Sequence, residues 1–326
     1  MRDRIASPEV PTAYRLYFAD ELRNDPRRPQ LEDSFFRALL LRNGTFKTTW
    51  HHRLDDLNAM IERFLPGARP LEIMDVAVSS GISTIEWLDA LERAGLECRM
   101  TAGDAIIDAF LVTVGPLRGL VDRTGHLMQL DVGGKAVYMP PPRRRDRLRY
   151  GALGFFVKTA ARTFRDPRRG DIGCDRLQRR LGLQCRPLKL ISASLAAHPR
   201  IEVLEDDILN DHRWPGRFNV LRAANVLNRS YFNDALLERM LRNLRTRLAR
   251  HGLLAVCRTT EGRNDASLFR LRDDRSFQEL AKLNDGSEIA QLVLSLPPEP
   301  SHHVDTDRHC PFGTARPRAA EASRHG

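Results

Sequence analysis

Apolar residues recur along this chain in two rhythms, and the changes from one to the other mark its elements. The first rhythm is helical. Pro11 to Arg23 and Leu31 to Arg42 each space their apolar residues at helical intervals, separated by the breaker Asn24-Asp25-Pro26-Arg27-Arg28-Pro29 and followed by the turn pair Asn43-Gly44. A third helix is expected from about Trp50 to Leu65, with Leu54, Leu57, Ile61 and Phe64 on one face and Pro66 and Gly67 at its end. These helices, within residues 1–70, are expected to cap a sheet. Arg53, Asp55 and Asp56 stand just ahead of the first strand, either as a solvated helix face or as side chains reaching a ligand cleft.

The rhythm then switches. Leu71 to Val78 is apolar except for Glu72 and Asp75, the pattern of a strand buried on both faces of a parallel sheet. Ser79, Ser80 and Gly81 break it, and Ser83 or Thr84 can cap a helix carrying Ile85, Leu88 and Leu91. Free amides at such a turn, at the carboxyl end of a central strand, suit a nucleotide-like ligand. A second strand, Glu97 to Gly103, finishes at Asp104. That residue reads either as an acceptor for ribose hydroxyls or as the cap of the next helix.

The alternation resumes with a helix near Leu190 to Ala197 and a strand Ile201 to Leu204 running into Glu205-Asp206-Asp207-Ile208. A strand Phe218 to Ala223 follows. Asp234 is expected to cap a helix bearing Leu237, Leu241, Leu244 and Leu248, which Gly252 ends, and Leu253 to Thr259 forms the fifth strand. Ser267 to Leu271 and Phe277 to Leu283 are expected to pair as antiparallel strands, with a short final element over 286–296. The fold class implied is α/β: a Rossmann-like, doubly wound sheet with a terminal antiparallel strand pair, an N-terminal helical cap and a large insertion.

The insertion covers residues 115–190, where the alternation stops. Val132-Gly133-Gly134 lies between two apolar runs and reads as a hairpin. Downstream, Tyr150, Leu153, Val157, Ala160, Ala161 and Phe164 share one helical stripe that Phe155 and Phe156 widen, with arginines at both ends. Such a stripe suits a lid or core helix buried against the same protein, or peripheral contact of 150–165 with an anionic membrane. The division expected is a cap over 1–70, a core over 71–296 carrying the insertion, and a disordered tail over 297–326 rich in Pro, His, Arg and Ala.

Composition narrows the function classes. No apolar run reaches the roughly 18 residues of a membrane span, and Arg2, Asp3 and Arg4 leave no room for an apolar export signal, so a soluble cytoplasmic protein is expected, with membrane association open. Cys98, Cys174, Cys185, Cys257 and Cys310 are scattered and odd in number, as reduced thiols are. The net charge of +10 suggests acidic partners, but only five of 52 basic residues are lysines, and no aromatic stacking platform accompanies the arginines, so nucleic acid is disfavoured. His51-His52 and the group His302, His303, His309, Cys310 lack the spacing of a zinc site. The tight G-x-G-x-x-G of dinucleotide oxidoreductases is missing. Nothing in the sequence addresses oligomeric state.

The order of these signals over Leu71 to Leu294 resembles the class I S-adenosylmethionine-dependent methyltransferases. Asp75-Val76-Ala77-Val78-Ser79-Ser80-Gly81-Ile82-Ser83 stands where that family has its glycine-rich loop, with Ala77 and Ser79 replacing the first two glycines. The resemblance implies S-adenosyl-L-methionine as cofactor, held by Asp75, Ala77, Ser79, Gly81 and Ser83, by Asp104, and by Asp207 and Ile208 near adenine. Since the sulfonium already activates its methyl group, the protein has chiefly to hold a nucleophile in line and exclude water. Asn225 and Tyr231, after the fourth strand, are the catalytic candidates; their structural alternative is an asparagine satisfying a loop and an aromatic packed under the next helix. The acceptor implied is a small or lipid-like molecule. Asn225-Val226-Leu227 and Tyr231-Phe232 are also similar to the chemotaxis-receptor methyltransferases, which esterify protein carboxylates, and a non-catalytic interaction module retaining the fold is the remaining alternative.

Overall fold

The computed structural model describes residues 10–42, 49–66, 70–137, 144–210 and 213–298. The expected turn Asn43-Gly44, Gly67, and the tail group His302, His303, His309 and Cys310 lie outside the described residues. In chain order come α1 (Ala13–Phe18), α2 (Arg28–Arg37), α3 (Asp55–Glu62), β1 (Leu71–Val76), α4 (Ile82–Arg93) and β2 (Cys98–Asp104). Then follow β3 (Asp108–Val114), β4 (Leu117–Asp122), β5 (Leu127–Val132), β6 (Lys135–Val137), α5 (Arg144–Arg162), β7 (Gln178–Arg180) and β8 (Leu183–Lys189). The chain closes with α6 (Ala193–Ala197), β9 (Ile201–Glu205), β10 (Phe218–Ala224), α7 (Asp234–Arg247), β11 (Leu248–Thr260), β12 (Arg263–Leu271), β13 (Phe277–Leu283) and α8 (Ala290–Leu294).

Seven strands form the main sheet in the order β13-β12-β11-β10-β1-β2-β9. The pairs from β9 to β11 are parallel, and β12 and β13 add antiparallel to the far edge. Both faces are covered, as strands apolar on both sides require. Leu54, Leu57 and Ile61 of the α3 region, Trp87, Leu88 and Leu91 of α4, and Leu195 of α6 pack on one face. Leu237, Leu241 and Leu244 of α7 and Val293 of α8 pack on the other. This is the α/β doubly wound arrangement with terminal antiparallel strands that the sequence predicts.

Residues 108–189 build a second, six-stranded antiparallel sheet, ordered β6-β5-β4-β3-β8-β7, starting ahead of the expected position 115. One face carries α5 and the turn after it: Val157, Ala160 and Ala161 of the helix and Phe164 of the turn bury against Phe110, Val112, Val121 and Leu130. Gly119 of β4 makes the close approach possible, since a Cβ there would meet Val157 Cγ1 at 2.3 Å. The other face takes α1 and α2, with Leu16, Phe35, Phe36 and Leu39 packed on Leu111, Leu120 and Leu188. Each such fully buried side chain contributes about 1.5–3 kcal/mol. The described helices before β1 therefore do not cap one sheet together: α1 and α2 pack on the second sheet and the α3 region on the main one. Periodicity shows that a helix has an apolar face without showing which surface covers it.

Other local expectations shift for identifiable reasons. Pro29 sits in the first turn of α2 instead of breaking the chain, a position where its missing N–H costs nothing. Neither Ser83 nor Thr84 caps α4; Gly81, at φ +85°, takes the N-cap position. Asn233, not Asp234, caps α7, its side chain accepting from Leu236 N at 3.0 Å, while Asp234 pairs with Arg229. Gly252 ends no helix. It lies inside β11 beside a register shift, where a Cβ would come within 3.1 Å of Phe218 O.

Candidate functional site

The turn after β1 carries the clearest local signature. Ala77, Ser79 and Gly81 have φ of 59°, 60° and 85°, all left-handed. An L-residue pays about 1–2 kcal/mol for that conformation, which glycine adopts freely. The backbone of a triple-glycine loop thus survives with alanine and serine in two of its positions. Asp104 holds it: Ser79 N donates to Asp104 Oδ2 at 2.8 Å and Ile106 N to Oδ1 at 3.0 Å. The turn after β1 and the acid ending β2 therefore meet in one crevice.

Ala77, Ser79 and Asp104 line a cavity of about 600 Å³ at the carboxyl ends of β1, β2 and β10. That volume falls in the range of small-molecule clefts. Asn225, Asn228, Tyr231 and Phe232 line it from the segment after β10, and Arg258 and Glu261 from the end of β11. Ile106 and Val226 add apolar wall. The two catalytic candidates are thus brought to the loop.

Their environments differ sharply. Asn225, at φ 61°, accepts from Thr259 N through Oδ1 at 2.6 Å and donates to Thr259 Oγ1 through Nδ2 at 3.3 Å. Both ends of its amide are committed to holding β11, the structural alternative read from the sequence. Tyr231 is 41% exposed, with its ring edge-on to Phe232. Its hydroxyl has no protein partner among the described residues and remains available to a ligand.

Four expected cofactor contacts lie elsewhere, and a fifth sits behind the turn. Asp75 is buried beneath it, accepting from Arg222 Nε at 2.9 Å, Arg222 Nη2 at 2.6 Å and Thr84 Oγ1 at 2.7 Å. Arg222 in turn stacks over Trp87 at 4.2 Å. This ion pair ties β1, β10 and α4 together and does not line the cavity. Gly81 faces protein: a Cβ there would meet Leu195 Cδ2 at 2.2 Å. Asp207 caps its own turn, accepting from Leu209 N and Asn210 Nδ2, and lines a neighbouring cavity of about 670 Å³. Ile208 is buried in the core beside α7. Ser83 is buried in α4, and the hydroxyls of Ser79, Ser80 and Ser83 have no hydrogen-bond partner among the described residues.

Arg53 brings an unmet electrostatic demand to the cavity. Its Nε and Nη1 are out of solvent and without a hydrogen-bond partner among the described residues, and it lines the main cavity. Burial, with Arg222 adding repulsion, lowers its pKa. A desolvated guanidinium of this kind favours an anionic ligand. Asn264 Nδ2 donates to Arg53 O, fixing the segment, and Trp50 lies 5.6 Å from the guanidinium. Asp56 is taken by Asn264 and Leu57 N, and Asp55 by His52. Asn228, whose Oδ1 is buried and unpartnered among the described residues, also faces this demand; its sequence context carried no signal for it. Among the described residues no group of three or more His, Cys, Asp and Glu is placed to hold a metal ion.

No family model matches the sequence, and no curated protein matches it. Solved structures similar to it include methyltransferases, at low identity. A 1,6-didemethyltoxoflavin-N1-methyltransferase of Burkholderia thailandensis is 11% identical, with a TM-score of 0.33, over 74% of this chain and 65% of that one. The C-methyltransferase domain of the citrinin polyketide synthase is 16% identical, with a TM-score of 0.31, over 64% and 35%. An S-adenosylmethionine-dependent methyltransferase of Mesorhizobium loti is 11% identical, with a TM-score of 0.28, over 66% and 63%. The chain thus spans between about a third and two thirds of their lengths. Its resemblance to class I S-adenosylmethionine-dependent methyltransferases is distant; strand order and loop conformation carry the reading that follows.

Proposed function

We propose that this chain binds S-adenosyl-L-methionine and transfers a methyl group to a small or lipid-like acceptor in the same cavity. The observation that carries it is the left-handed backbone at Ala77 and Ser79, kept against its conformational cost and opening into the cavity beside Asp104. Strain retained at a ligand crevice is a signature of function. The residues present fit the cofactor. Asp104, oriented by Ser79 N and Ile106 N, sets a carboxylate in the cavity wall, the kind of acceptor a ribose hydroxyl takes. Arg53 supplies the cation for the amino-acid carboxylate, and the Ser79 hydroxyl a further donor.

Bound S-adenosylmethionine supplies an activated methyl group. The chain has then to place the acceptor and keep water out. Phe232, Val226 and Ile106 give the apolar wall, and Tyr231 the hydrogen bond that orients the nucleophile. Asn225 is a positioning residue, setting the loop through Thr259.

Calorimetry with S-adenosylmethionine tests this. Wild type gives heat of binding; Arg53→Met weakens it by roughly 10- to 150-fold, the equivalent of one charge-assisted hydrogen bond. Because Arg53→Met removes an unpaired buried cation, its thermal midpoint is expected to be unchanged or higher. No binding by wild type would favour the non-catalytic module, which the prior engagement of both Asp104 oxygens also suits.

A further inference from the structure

A third cavity, of about 380 Å³, lies where α5 meets the turn after β4. Arg42, Lys158, Arg162 and Arg165 line it together with His126, Thr124 and Gly125, and among the described residues no carboxylate does. It adjoins the cleft already described: Arg42 lines all three cavities, Thr124 is shared with the middle one, and Ile106 is shared by the middle and main ones.

What marks the cluster is that four cationic side chains converge on one hollow. Several arginines elsewhere pair with carboxylates, as Arg28 does with Glu32, Arg200 with Glu92, Arg229 with Asp234 and Arg258 with Glu288, whereas in this hollow Arg42 alone does among the described residues, with Asp122. Among the described residues Lys158 and Arg162 have no such partner, although they stand four apart on α5 and face the same hollow. Their neighbours are held in place. Arg42 Nε donates to the buried Asp122 at 2.8 Å, Arg165 Nη2 to Thr124 O at 2.5 Å, and the His126 ring meets Leu40 O at 3.1 Å. With Arg42 balanced by Asp122, the two unpaired cations and Arg165 leave the hollow net positive, a field that favours an entering anion. One bidentate arginine satisfies a carboxylate; this many donors suit a phosphate group, with its higher charge and tetrahedral oxygens.

We propose that this cavity binds a phosphate group, and that, given the methyl-transfer reading on which this rests, the phosphate is the anionic end of the acceptor. The acceptor's body would then extend past Arg42 toward Tyr231.

The test uses the full chain at low ionic strength, where exposed charges are least screened. Inorganic phosphate is titrated by calorimetry into wild type and into Lys158→Ala/Arg162→Ala, whose side chains are exposed and unpaired and whose thermal midpoint serves as the folding control. Wild type is expected to bind and the double variant to bind at least about tenfold more weakly, the loss of charge-assisted contacts, while both bind S-adenosylmethionine equally. No phosphate binding by wild type, or equal binding by the variant, overturns the proposal. Phosphate binding by a wild type that gives no heat with S-adenosylmethionine overturns the acceptor role and marks the failure as that of the methyl-transfer reading. Sedimentation with phosphatidylglycerol against phosphatidylcholine vesicles separates the sources. Recovery with the anionic vesicles, lost in the double variant, identifies a lipid headgroup; phosphate binding without recovery identifies a soluble phosphate ester. Either result supports the site.

Discussion

Replacing Ala77 by glycine tests the loop conformation directly. At φ 59° the alanine bears about 1–2 kcal/mol of left-handed strain. Glycine removes that strain but loses about 0.5–1 kcal/mol more backbone freedom on folding. Ala77 is half-buried, so its methyl group offers little burial to forfeit. The balance is a net stabilisation of about 0.5–1 kcal/mol, or some 1–4 °C in thermal midpoint for a chain of this size. Differential scanning calorimetry of wild type, Ala77→Gly and Ser79→Gly reads it. Ser79→Ala is the control, since it keeps the left-handed cost while removing the unpartnered hydroxyl. Both glycine variants should be more stable than wild type and Ser79→Ala should not exceed it by the same margin. A fall in midpoint for Ala77→Gly would mean that residue 77 is not left-handed in solution, and the claim that a glycine-type loop persists here would be wrong.

Three further outcomes follow from the packing. Gly81→Ala meets both a left-handed backbone and Leu195, and should destabilise by about 2–4 kcal/mol; Leu195→Ala in the same chain should recover part of that, as a double-mutant cycle in urea will show. Asp75→Asn leaves Arg222 buried and uncompensated and should cost about 3–5 kcal/mol in denaturant unfolding, whereas replacing Asp75 and Arg222 together by apolar residues should cost much less. Burial pushes the Cys257 thiol up to about 12 from 9.0, so the unfolded chain releases its proton first as pH rises. Stability from this group is therefore complete below pH 9 and lost between pH 9 and 12, by up to about 1.4 kcal/mol per pH unit. Wild type should lose more than Cys257→Ala across that window.

The main sheet was legible because its strands are short apolar runs and its helices long periodic ones, and the two rhythms do not mix. Asp104 and the 77–81 turn were legible for the same reason: both end strands. Asp75 misleads because a carboxylate inside a strand looks the same in sequence whether it faces a ligand or an arginine, and Arg222 lies far along the chain. Gly81 misleads likewise, since its neighbour Leu195 arrives from the far side of the insertion. Arg53 was visible only as one charge among several, and its distinguishing property, buried nitrogens without partners, exists only after folding. In α5 and the turn after it the buried stripe Val157, Ala160, Ala161 and Phe164 was readable as a face, yet Phe155 and Phe156, expected to widen it, point outward and are 66% and 57% exposed.

The placement of β3 to β8 between two adjacent strands of the main sheet bears on how the chain is made. The second sheet and the helices on both its faces are complete once the ribosome has delivered Lys189, whereas β1 and β2 still wait for β9 and β10. A nascent chain of that length therefore already owns one finished hydrophobic layer and carries beside it a two-stranded ribbon with bare edges. Translation stalls in this stretch should be the moment of greatest aggregation hazard, and the one at which a chaperone has most to hold.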